Sequence, residues 1–138
     1  MAKKKSVEKK KFHIKDSGDR TQYSTGAQRD RRAGKGRYDL VPPEAIRRVA
    51  KVFEGGAIKY DANNWRKGIF MHDYIDSGLR HIYKYMEGWT DEDHLAMGCW
   101  NIMCAIATEE MIQKGLVPED MDDVQHFMPE GEDSLDEM

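Results

Sequence analysis

The chain has 138 residues, 39% hydrophobic and 34% charged, enough for one modest core and too polar for its whole length to pack. Its net charge of −3 conceals a sorting by position: residues 1–37 carry 13 Lys and Arg against 4 acids, residues 38–114 carry 9 against 12, and residues 115–138 carry 9 acids and no base. The longest apolar stretch, near residues 103–107, is far short of the roughly 20 needed to span a bilayer, and the start MAKKKSVEKKKFHIK has no apolar secretory segment, so a cytoplasmic chain is expected.

Residues 1–36 mix Lys runs with Ser, Gly and Gln and have almost no periodic apolar residues, the composition of a flexible arm. Such a basic arm also offers electrostatic contact to nucleic acid or to the acidic tail. The first helix is expected at Val41-Pro42-Pro43, since proline fits a first turn and Glu44 suits the positive helix end. Ile46, Val49, Ala50 and Phe53 follow at helical spacing, and Gly55-Gly56 is expected to stop the helix. Residues 57–72 show no period and read as a long ordered loop, a kind of segment that often carries function.

A second helix over residues 73–86 places Tyr74, Ile75, Leu79, Ile82 and Tyr83 on one broad face, with Gly88 closing it. Thr90, with Asp93 three residues on, resembles a capping box that opens a third helix reaching about residue 113. Leu95, Trp100, Ile102, Met103, Ile106 and Met111 are expected to supply most of its buried surface, and Cys99 and Cys104 read as reduced core residues. No run has the strict alternation of a strand. The expected fold is therefore all-α: a small helical bundle with a long ordered loop between helices 1 and 2, in a domain over residues 37–114 between the basic arm and an acidic tail over residues 115–138. Three long helices leave faces uncovered, so completion by oligomerisation or by a fourth helix near residues 120–127 is expected.

Three groups carry chemical potential. Asp91, His94, Gly98, Asn101, Ala105 and Thr108 form one stripe, with Asp91, Asp93 and His94 where helical N–H groups are unsatisfied; this suits a phosphate or a carboxylate-held metal. The same stripe also reads as a cap followed by a buried His and Asn bonded to neighbouring helices. Arg80-His81 sets a permanent cation beside a group that titrates near neutrality, although Asp76 and Arg80 also make an ordinary i,i+4 pair. In residues 56–65 (GAIKYDANNW), Lys59 suits a phosphate, Asn64 a base edge or ribose, and Tyr60 or Trp65 a stacked ring, or the aromatics close the end of a bundle. Phosphate-loop, dinucleotide, zinc-protease and nucleophile-elbow motifs are absent, which leaves metal-assisted hydrolysis by carboxylates and His as the best-supported enzyme chemistry.

The strings RYDLVPPEAIRRVAKVFEGGAIKYDANNW, SGLRHIYKYMEG and DEDHLAMGCWNIMCAIATEE, spanning residues 37 to about 110, resemble the dATP/dGTP diphosphohydrolase N-terminal domain common in bacteriophage proteins. That family is similar to MazG-like all-α nucleotide pyrophosphohydrolases, which depend on Mg²⁺ or Mn²⁺ and are usually oligomeric. The resemblance implies hydrolysis of a purine deoxynucleoside triphosphate. Carried over residue by residue, it selects Glu44, Glu54, Lys59, Tyr60, Asn64, Trp65, Arg80, His81, Asp91, His94 and Asn101. The roles expected are catalysis by His81, Glu44 and His94, substrate contacts from Lys59, Tyr60, Asn64, Trp65, Arg80 and Asn101, and metal ligation by Glu54, Asp91 and Asp93. The chain departs from the pattern at Met97, where many members carry a second His, and in its short Gly-Trp-Thr-Asp-Glu-Asp connection. The competing expectations are a nucleotide-binding protein without turnover and an interaction protein that works through its basic arm.

Overall fold

A computed structural model describes residues 13–129, which divide between Leu40 and Val41 into two units. The Lys-rich run before residue 13 and the last nine residues of the acidic tail lie outside the described residues.

In the first unit, β1 (Arg20–Gln22) and β2 (Gln28–Asp30) pair antiparallel, with Arg20 opposite Asp30 and Gln22 opposite Gln28. This corrects the expectation of no strand. Three-residue strands with no apolar face leave no period to read; polar bonds hold them instead. Asp30 accepts from the Ser17 hydroxyl and from Lys35 Nζ at 3.1 Å, while Asp16 takes Arg20 in a fork at 2.7 and 2.8 Å.

The second unit is built on α1 (Pro43–Lys59), α2 (Met71–Met86) and α3 (His94–Gln113), so the fold is a small, mostly helical one. α1 runs through Gly55-Gly56 instead of ending there. Neither glycine takes the positive φ of a helix terminator, and a helical glycine costs only about 1 kcal/mol relative to alanine. The expected loop shrinks accordingly: residues 57–59 are helical, Asn64–Lys67 forms a 3₁₀ turn, and Met71 and His72 already belong to α2. The cap of α3 is Asp93, which accepts from the Ala96 N–H at 3.2 Å, and not Thr90.

α2 and α3 meet where both are smallest. A Cβ on Gly98 would lie 3.3 Å from Ile82, and one on Gly78 would lie 3.4 Å from Asn101. This contact selects the inward face of α3: His94, Gly98, Asn101, Ala105 and Thr108 are buried, while Leu95, Ile102, Met103 and Ile106, expected inside, remain exposed. α3 is apolar nearly all round, so hydrophobicity could not choose its face; close approach did. Two of its buried polar side chains bond within the helix, Thr108 donating to the Cys104 carbonyl at 2.7 Å and Asn101 to that of Met97 at 2.9 Å. Met71, Tyr74, Cys104 and Ala105 form the core, flanked by Phe53, Trp65, Ile69, Trp100 and Val124. Both cysteines are free; burial pushes the Cys104 thiol up to about 12, whereas Cys99, also expected in the core, is exposed.

After α3 the chain packs back. Val117 is buried, Val124 joins the core, and Asp123 accepts from the His72 N–H at 2.9 Å. The N-cap of α2 is Phe70, which has no acceptor of its own, so Asp123 caps that helix from 51 residues away. Instead of the fourth helix expected near residues 120–127 there is a 3₁₀ turn, Glu119–Met121; the carboxylates of Asp122 and Asp123 bind backbone N–H groups there. Among the described residues no helix is long and apolar enough to cross a membrane.

Two glycines should respond in opposite directions. Gly55→Ala, with open space around the new methyl, is expected to stabilise by about 0.5–1 kcal/mol, whereas Gly98→Leu should cost about 1–3 kcal/mol by wedging α2 from α3. Urea melts of both variants check this, and equal effects would contradict the packing described.

Candidate functional site

A groove of about 1110 Å³ runs along α1, bounded by residues 60–65 and by the inner sides of α2 and α3. At one end Arg48 of α1 forks onto Asp93, with Nε 2.8 Å from Oδ2. Asp93 thus both caps α3 and fixes α1 against it; the Arg48 guanidinium holds its carboxyl below the usual range. One turn further along α1, Lys51 also lines the groove and has no ion-pair partner among the described residues.

Beside this pair lies a histidine cluster. His81, one turn past Gly78 on α2, and His94, the first residue of α3, meet because the glycine contact draws the two helices together. Their Nδ1 atoms are 2.9 Å apart, and Nε2 of the enclosed His94 is 2.7 Å from Asp91 Oδ1. The His94 hydrogen bond keeps the Asp91 carboxyl below the usual range. If Asp91 accepts the Nε2 proton, Nδ1 of His94 carries the lone pair that faces His81. Glu92 completes the group: one donor atom each from His81, Glu92 and His94 lie within 4.8 Å of one another. Two imidazoles and a carboxylate converging in this way are a donor set that fits a divalent metal ion. Burial lowers the pKa of His81; the Glu92 carboxylate opposes this, and His94, Arg80 and Lys84 reinforce it.

The other end of the groove is aromatic. Trp65 meets Phe53 edge-on at 6.2 Å, and Phe53 lies 5.8 Å from Trp100, whose buried indole N–H has no partner. Arg66 sits 4.4 Å over Trp65, and Lys59 sits 5.2 Å from the Tyr60 ring. Lys59 is eleven residues beyond Arg48 in α1, about 16 Å along the axis, so the two cations mark opposite ends.

Of the residues singled out from sequence, Glu54, Lys59, Tyr60, Asn64, Trp65, His81, Asp93 and Asn101 line the groove. His94 and Asp91 stand behind His81. Arg80 turns to Ser77 and Asp76, and Glu44 is exposed in the first turn of α1; neither lines the groove. Glu54, Asp91 and Asp93 do not converge as one metal-binding group among the described residues. Sequence reading missed Arg48, Lys51 and Glu92. The first two share a helix face at i,i+3, a signal that was present but resembles any solvated face; Glu92 gave none, because the chain's path after α2 decides where it points.

A family model described as dATP/dGTP diphosphohydrolase, N-terminal, matches residues 25–117, a span that contains both ends of the groove. No curated protein and no solved structure matches the chain significantly.

With burial outweighing Glu92, an NMR titration of the metal-free chain should place the His81 ring below the ordinary imidazole midpoint of about 6.5. Because the fold favours the neutral ring, His81 adds stability above that pH, and the contribution is lost as pH falls through the lowered midpoint. A midpoint above about 6.5 would mean that the carboxylate dominates.

Proposed function

The chain belongs to the dATP/dGTP diphosphohydrolase, N-terminal, family, and we propose that its groove binds a purine deoxynucleoside triphosphate and hydrolyses it. The observation that carries this reading is the two-ended groove: an aromatic end around Trp65 and a charged end at Arg48, Lys51 and the histidine cluster, both lining one cavity along α1. Trp65 and Tyr60 stack the base, and Asn64 hydrogen-bonds its edge or the ribose. Lys51 and the outer N–H groups of Arg48 take the phosphate charge. Lys59 belongs to the base end in this arrangement, and Asn101 supports the groove floor through its bond to Met97.

His81, Glu92 and His94 would hold the divalent ion that the family resemblance implies; when bound it would supply charge at the phosphate oxygens and a more acidic water. On this reading His81 and His94 act as ligands rather than as acid–base groups, with Asp91 orienting His94. Glu44 has no part in the site.

Incubation with a panel of NTPs and dNTPs plus divalent cation, with products separated by chromatography, should show consumption of dATP or dGTP. Trp65→Ala should raise KM by roughly tenfold or more, and Lys51→Ala should raise it as well, while Glu44→Gln stays near the parent. Retention of a nucleotide with no turnover would replace this reading by that of a non-catalytic binding protein.

A homo-oligomer belongs to the same reading. Leu95, Ile102 and Ile106 lie exposed along one side of α3, an apolar helix that a single copy leaves half uncovered. Sedimentation equilibrium should give a mass at least twice that of one chain; a monomer at micromolar concentration would remove this part.

A further inference from the structure

We propose that His81, Glu92 and His94 form a site selective for a late first-row divalent cation over Mg²⁺, with Asp91 as the positioning residue. The inference deepens the reading of the groove as metal-dependent, but it rests on the donors themselves. Mg²⁺ requires a near-octahedral oxygen shell and keeps most of its waters, and two of the three donors here are imidazole nitrogens. Imidazole suits Fe²⁺, Ni²⁺, Cu²⁺ and Zn²⁺, and the affinity of a given nitrogen and oxygen set generally rises from manganese along the row to copper.

The support around the ligands has the form that such ions require. Asp91 Oδ1, 2.7 Å from His94 Nε2, fixes the far nitrogen of the ring as the protonated one and so directs the Nδ1 lone pair toward His81. Without an ion, one proton must be shared between two Nδ1 atoms 2.9 Å apart; an ion takes both lone pairs instead. His94 is enclosed, which fixes its rotamer, while Glu92 is exposed and leaves the cluster open toward the groove. Asp93, the nearest other carboxylate in sequence, is held by Arg48 and the α3 cap. Elsewhere among the described residues, His72 with Asp123 and His126 with Asp122 provide two donors each, short of a third.

The test uses the metal-free full chain and Co²⁺ as the probe, read by its visible ligand-field absorption and by calorimetry. One Co²⁺ per chain is expected, displaced by Zn²⁺ but not by about a hundredfold excess of Mg²⁺. His94 is left in place because it is enclosed. His81→Gln and Glu92→Gln, which alter a half-buried and an exposed residue, should each weaken Co²⁺ by at least about tenfold. Asp91→Asn should weaken it by about 10–100-fold and shift the absorption bands, with the thermal melt of the metal-free chain unchanged; a purely structural Asp91 would do the reverse. Absence of Co²⁺ bands, displacement by Mg²⁺, or Co²⁺ binding that survives the His81→Gln/Glu92→Gln double variant would each overturn the proposal. Co²⁺ binding in a chain that turns over no nucleotide would support this site and retire the hydrolase reading; Mg²⁺-driven turnover with no Co²⁺ binding would do the opposite.

Discussion

The close approach of Gly78 and Gly98 is the constraint on which the rest of the second unit depends. A side chain larger than a methyl at either position would push α2 and α3 apart by contact with Ile82 or Asn101. Their absence turns the small-residue stripe of α3 inward and brings His81 within hydrogen-bonding distance of His94. Packing and chemistry therefore share one cause. The same rotation of α3 that buries Asn101 and Thr108 leaves Leu95, Ile102 and Ile106 on the surface, which is an unusual allocation for a small domain and the reason a second copy belongs in the functional reading.

A second device joins the third helix to the site. Asp93 caps α3 and grips Arg48, so the start of α3, the charged end of the groove and the position of α1 are set by one carboxylate. The pair is exposed, and its value lies in geometry more than in energy. It keeps a guanidinium at the groove beside the histidine cluster, while Phe53, on the same helix, anchors the aromatic end through Trp65 and Trp100. One helix thus spans both halves of a site whose other parts come from α2, α3 and the segments that join the helices. At the opposite margin Asp123 closes the α2 N-terminus, which makes a stretch of the acidic tail part of the fold.

The three helices were legible in the sequence because their apolar spacing, prolines and Gly88 are local signals, and the end of α3 fell at residue 113 as read. The faces were less legible. α3 carries apolar residues on every side, so its inward stripe had to come from the Gly78 contact, which no single-helix pattern contains. Gly55-Gly56 looked like a stop because glycine permits a left-handed turn; permission is not a requirement, and here the helix continues to Lys59. Of the site, the aromatic loop and the residues His81, Asp91 and His94 could be picked out by chemistry and family resemblance. The division proposed for them, into a base end, a metal cluster and an orienting carboxylate, required distances: the roughly 16 Å along α1 from Arg48 to Lys59 and the placing of Glu92 beside two rings. The hairpin at residues 20–30 had no hydrophobic signal to find.

The central claim is that one nucleotide lies along α1 with its base and its phosphates at opposite ends of the groove. A crystal structure of the chain with Mn²⁺ and a non-hydrolysable dATP or dGTP analogue tests this most directly. The account predicts the purine against Trp65, the triphosphate beside Arg48 and Lys51, and an anomalous manganese peak among His81, Glu92 and His94. A triphosphate held at Lys59, with the base toward the histidines, or a ligand bound outside the groove, would contradict it.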